Sequence, residues 1–100
     1  MEKIICSAIY FDDGVEHPHQ PKNIETGFVI CGRRHHNCFA TAFIMDPERK
    51  YIKLKDIQGF LTDTDRFVDR YEGQIIALES NQVLDIEKLR GKKLYSEDLY

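Results

Sequence analysis

HHNCFATAFIM, residues 35–45, is the stretch that decides the fold. Its aromatic and β-branched residues would let it continue as a strand from the apolar run FVICG, residues 28–32. Against that, Cys38, Phe39, Ala42 and Phe43, with Met45 behind them, recur at the spacing of one helix face. Two alanines favour the helix, and Asp46-Pro47 supplies a stop. The spacing predicts a helix over His35–Met45.

Outward from that helix the pattern is one of strands and turns. FVICG reads as a short strand closed by Gly32, and residues 3–11, KIICSAIYF, as a buried strand apolar on both faces. Between them, Pro18 and Pro21 forbid a helix, leaving a loop or hairpin connection. On the other side, residues 50–62 read as one or two strands, in which Tyr51 and Lys53 alternate with Ile52 and Leu54. Gly59 marks a bulge or a close approach of backbone. Residues 63–67, DTDRF, form a turn. Asp69 and Glu72 then make a variant capping box, with the aspartate accepting from backbone N–H groups and the glutamate reaching back. The second helix follows over residues 70–82, RYEGQIIALESNQ. Ile75, Ile76 and Leu78 or Glu79 divide its faces, Gly73 weakens it by ~1 kcal/mol relative to alanine, and Asn81 is the C-cap. One further helical turn near residues 85–90 stops at Gly91, before an extended end at 93–95. The order predicts an α+β fold, a small antiparallel sheet with two helices packed on one face, in a single domain of residues 1–100.

Composition limits the function. The chain has 100 residues, of which 42% are hydrophobic and 31% charged, and this argues against disorder. Its net charge of −3 gives no general attraction to DNA, RNA or an anionic membrane, so an anionic ligand would need a local basic cluster. Cys6, Cys31 and Cys38 are odd in number and no signal-peptide pattern precedes them, so reduced thiols in a cytoplasm are expected. No apolar run approaches the ~18 residues of a membrane span.

Four chemistries can then be weighed. His17, His19, Cys31, His35, His36 and Cys38 are ligand types that zinc accepts, but their spacing fits no familiar knuckle. Buried thiols and exposed histidines account for them more plainly, so neither metal nor cofactor is expected. A catalytic Cys–His pair would need an exposed thiol, and all three cysteines read as core; no hydrolase motif or carboxylate pair is present. Anion binding is the better local reading. Arg33, Arg34, His35 and His36 follow Gly32 at a helix start, where free N–H groups and the helix dipole already favour negative charge. Basic residues there oppose the dipole, so either an anion occupies the site or a solvated loop holds an internal Arg–Glu pair. Finally, Arg66 and Arg70 bracket Phe67, with Phe60 upstream. Aromatics beside arginines can stack a base and hold its phosphate, although core phenylalanines with arginines paired to Asp63, Asp65 or Asp69 fit the same pattern. Arg90, Lys92 and Lys93 form a third basic set, read as solvated.

CGRRHHNCF (31–39), GFLTDTDRFVDRYE (59–72) and LYSEDLY (94–100) resemble segments of small phage and prophage proteins, and among these the phage-encoded Thoeris anti-defence family. That resemblance implies a non-catalytic sponge that sequesters cyclic nucleotide immune signals, either cyclic ADP-ribose variants or cyclic oligonucleotides, in the cytoplasm of an infected bacterium. It also implies a homo-oligomer, with a hexamer as one such assembly. Carried onto this chain, Phe60 becomes a base-stacking platform, and Arg66, Asp69 and Arg70 polar contacts or organisers of its pocket. Arg33, Arg34 and His35 lie in the other shared motif, and Arg90 stands in for a ligand arginine near residues 85–93. Two other functions compete: a phosphodiesterase or nuclease using His35 or His36, and a phage inhibitor whose acidic tail SEDLY docks on a basic host protein.

Overall fold

The computed structural model describes residues 1–48 and 56–100. Strands β1 (Ile4–Phe11), β2 (Phe28–Gly32), β3 (Asp56–Thr62) and β4 (Phe67–Asp69) form one antiparallel sheet in the order β2-β1-β3-β4. Helix α1 (His35–Met45) follows β2, and α2 (Arg70–Glu79) follows β4. Single 3-10 turns lie at Ile86–Lys88 and Ser96–Asp98. The α+β architecture and the first helix therefore stand as expected. The predicted strand start at residues 50–55 lies outside the described residues.

Register explains why both helices share a face. Ser7 is opposite Gly32 on one side and Phe60 on the other, while Ile9 faces Ile30 and Phe11 faces Phe28. Directly opposed residues point the same way, so this row makes one apolar surface. Against it pack Cys38 and Ala42 of α1, completing a cluster with Ile9, Phe11, Phe28 and Ile30. A second cluster joins Phe60, Val68 and Ile4 to Ile76 and Ala77 of α2 and to Leu94 and Leu99 of the C-terminal segment. Ile4 reaches that face through a register shift between Ile4 and Cys6, which leaves Ile5 exposed. The strand is thus not buried throughout.

The opposite face is closed in part by residues 12–27, which form no helix or strand. Tyr10 packs on Phe67 with ring centroids 5.8 Å apart, and its hydroxyl donates to the Thr26 carbonyl at 2.6 Å. Asn23 brackets Phe67 by accepting from its N–H at 2.9 Å and donating to its carbonyl at 2.7 Å.

Several local expectations need correction. The buried residues of α1 are His35, Cys38 and Ala42, while Phe43 and Met45 face outward. Helix α2 buries Gly73, Gln74, Ile76 and Ala77, and leaves Ile75 and Leu78 exposed. Residues 67–69, read as the end of a turn and a helix cap, form a short edge strand. Asp69 does cap α2, accepting from Tyr71 and Glu72, but Glu72 turns away to Arg66 at 3.0 Å. Beyond the C-cap Ser80, Asn81 takes a left-handed φ of 60°. Its N–H bonds to Leu78 and that of Gln82 to Ala77, making a Schellman ending.

Candidate functional site

Arg70 is the first residue of α2, and the capping of Asp69 fixes where its side chain starts. One guanidinium nitrogen donates to the Leu94 carbonyl at 2.8 Å. The other donates to the Gln58 side chain at 2.7 Å and lies 3.4 Å from Nδ1 of His35. On its other edge His35 donates from Nε2 to the Gly59 carbonyl at 2.8 Å, so Nδ1 is the unprotonated nitrogen that meets Arg70. Burial first, and Arg70 after it, push the His35 pKa below the ordinary histidine value. Burial also lowers the pKa of Arg70.

Over this polar knot lies Tyr95, with the Arg70 guanidinium 4.5 Å and that of Arg90 5.5 Å from its ring centroid. Lys93 stands 5.6 Å from the ring of Tyr71. Arg70, Tyr71, Lys93 and Tyr95, together with Asp56, Ile57, Gln58 and Asp69, line an open groove of about 550 Å³, while Arg90 shares a separate cavity with Tyr95. Its chemistry is two tyrosine faces, each with a cation beside it, and carboxylates at the rim. Such a lining suits a flat, hydrogen-bonding ring that carries a negative group.

The basic start of α1 has a different occupant from the one expected. Arg34 donates to the Ser96 hydroxyl at 3.1 Å and to the Tyr100 carbonyl at 2.6 Å, with Glu97 3.9 Å away. Arg33 and Arg34 lie 5.6 and 5.4 Å from the Tyr100 ring, whose hydroxyl donates to the Arg33 carbonyl. The SEDLY segment, read as a tail for a partner, is folded onto this helix start. The negative charge that the dipole argument called for is supplied in part by the chain itself.

The remaining predicted positions divide clearly. Phe60 is fully buried, edge-on to His35 at 5.2 Å between ring centroids, so its face is closed to any ligand in this arrangement. Arg66 is held by both carboxylate oxygens of Glu2, at 2.9 and 2.7 Å, and by Glu72. Its guanidinium leads a set of hydrogen bonds that brings the Glu2 pKa down to about 2. Arg70, Arg90 and Asp69 do border one groove or its tyrosine. Gln58, Tyr71 and Tyr95 carry no functional reading in the sequence, and Lys93 belongs to the basic set read as solvated. Tyr95, set between a basic run and an acidic one, offered the one sequence signal for them.

Against the metal reading, His35 is buried and spent on Gly59 and Arg70, and Cys38 contacts the Ser7 carbonyl. Among the described residues no three histidine, cysteine or acidic side chains gather as ligands. Nor is any described helix long and apolar enough to cross a membrane.

Fold and groove together define a small α+β protein with a tyrosine-lined cleft that carries both basic and acidic side chains. The family model of the phage T4 y16D protein matches residues 3–100, and the chain belongs to that family of phage proteins. No curated protein and no solved structure matches it.

Proposed function

We propose that this phage protein binds a phosphorylated nucleotide in the Tyr71–Tyr95 groove without turning it over, and so sequesters a cyclic nucleotide immune signal of its host. The observation that carries this reading is the pairing of two tyrosine rings with Arg70 and Lys93 around about 550 Å³ of open space. That volume lies within the roughly 300–1,000 Å³ of typical small-ligand sites. In the groove a base stacks on Tyr71 or Tyr95, Lys93 takes a phosphate oxygen, and Asp56 or Asp69 accepts from sugar hydroxyls. Phe60 and Arg66, given ligand roles by the resemblance, act here as core and as structural ion pair.

The groove is open, and a dinucleotide would stay half exposed in one copy. Tyr71, Ile75 and Leu78 lie at i, i+4 and i+7 of α2, exposed and continuous with the groove rim through Tyr71. A second copy seated on that stripe would complete the site, which is the homo-oligomer the sponge reading implies.

Calorimetry with cyclic ADP-ribose variants and cyclic oligonucleotides is the test, with light scattering for the assembly. Binding of at least one of them is expected, weakened about tenfold or more by Lys93→Ala or Tyr71→Ala, a loss of roughly 1.4 kcal/mol. Both residues are exposed, so the variants keep the fold. Heat-released ligand should be chemically intact; recovery of a cleaved product would replace the sponge with an enzyme.

A further inference from the structure

The thiols were expected to be core, and only one of the three is. Cys38 is fully buried beneath α1, where its sulfur contacts the Ser7 and Arg34 carbonyls and burial pushes its pKa up to about 11. Cys31 is exposed and Cys6 half-buried. The sheet explains the difference. Ser7 and Gly32 are opposite one another and point toward the helices, so Cys6 and Cys31, each one residue earlier on its strand, point to the helix-free face. They sit on a diagonal of the β1–β2 pair, and the register shift beside Cys6 re-aims that end of β1. The two thiols are neighbours on that face, close enough for each to shift the ionisation of the other.

We propose that Cys6 and Cys31 form a peroxide-reactive dithiol that closes to an intramolecular disulfide across β1 and β2. Cys31 is the attacking sulfur, because it is the exposed one of the pair. The neighbouring Cys6 thiol favours the Cys31 thiolate and brings its pKa down to about 7, while that of Cys6 is driven upward. The Cys31 thiolate attacks one oxygen of hydrogen peroxide and the O–O bond breaks. Hydroxide leaves and takes up the proton Cys31 had released, giving water and a Cys31 sulfenic acid. The Cys6 sulfur then attacks Cys31, the S–O bond breaks, and the departing hydroxide takes the Cys6 proton as a second water. Two thiols lose one electron each, and one peroxide gains both. Cys31 is directly opposite Ala8, so Cys6 is its diagonal neighbour, and closing the bond draws that end of β1 and β2 together.

At neutral pH, lowering a thiol from its ordinary value to about 7 raises its thiolate fraction by more than tenfold. The weaker nucleophilicity of a less basic sulfur offsets part of that gain. The folded wild-type protein is treated with hydrogen peroxide, alkylated with iodoacetamide, digested and analysed by mass. A cross-linked peptide pair holding Cys6 and Cys31 is expected, with Cys38 still a free thiol. Without peroxide, Cys31 should alkylate about fivefold or more faster than Cys6. In Cys6→Ser, oxidation should stop at a Cys31 sulfenic acid that dimedone traps. Reduced Cys6 and Cys31 after peroxide treatment, or a Cys31 sulfinic acid in place of the cross-link in the wild type, overturns the proposal.

Discussion

Gly59 shows how much one residue can constrain this fold. A Cβ built on it would sit 2.0 Å from the Val68 carbonyl oxygen and 2.9 Å from the Phe67 ring. Neither neighbour can yield, since Val68 is bonded into the β3–β4 ladder and Phe67 is pinned by Asn23. Gly59→Ala should therefore cost about 3 kcal/mol, the upper end of ordinary overpacking, read as a fall in the urea midpoint. An unchanged midpoint would mean that β4 swings away freely from β3. The sequence flagged this glycine as a bulge or a close approach, since a strand interior gives a glycine few other uses, and the structure shows the close approach. It could not do the same for Phe60 or Cys31. A phenylalanine beside arginines looks alike as core or as platform, and only the Ser7–Phe60 register shows that its ring lies under both helices. A cysteine one place along a strand changes face, and one residue of register separates a buried thiol from a reactive one.

At the scale of elements, local signals served well and distant ones were silent. Asp69 caps α2 by accepting from the N–H groups of Tyr71 and Glu72 at 3.0 and 2.9 Å. Asp69→Ala should lose about 1 kcal/mol of stability, within the roughly 0.5–2 kcal/mol range of such caps, while Asp69→Asn retains most of it. Thermal melting of the three proteins checks this; equal melting temperatures would show that the Leu94 and Phe60 packing alone sets the helix start. The cap was legible because donor and acceptor are two or three residues apart. Gly73 was legible only as a weakness, yet an added Cβ would lie 2.9 Å from the Phe60 ring, so the helix accepts glycine in order to approach the sheet. The hydrogen-bond partners of Arg34 are 62 and 66 residues away, and Glu2 is 64 residues from Arg66. No pattern of neighbours encodes a contact at that separation. A shorter separation still hid Tyr95 and Lys93, which reach the groove because Leu94 between them is buried and bonded to the Arg70 carbonyl.

Across the whole molecule, ionic contacts join what the chain separates, and acid should undo them in two stages. His35 lies under the segment that binds Arg34 and Arg70, and its folded pKa is depressed by burial and then by Arg70. A histidine held neutral leaves the unfolded chain binding more protons once pH drops below about 6.5, so its contribution is complete above that value and erodes beneath it. Glu2 ties the start of β1 to Arg66 and through it to Glu72 of α2. Its pKa falls from 4.5 to about 2 on folding. That stabilisation is therefore present above pH 4.5 and disappears as pH falls toward 2. Urea midpoints measured from pH 8 to pH 2.5 should decline in both windows. His35→Gln, whose amide can still donate to Gly59, should flatten the upper decline and leave the lower one. Glu2→Gln should do the reverse, reducing the lower slope without abolishing it, because Asp13 and Glu97 are also depressed and act with the same sign. If His35→Gln kept the full slope between pH 6.5 and 5, the buried histidine would not be the upper sensor, and the link from Gly59 through His35 to Arg70 would not be what acid breaks first.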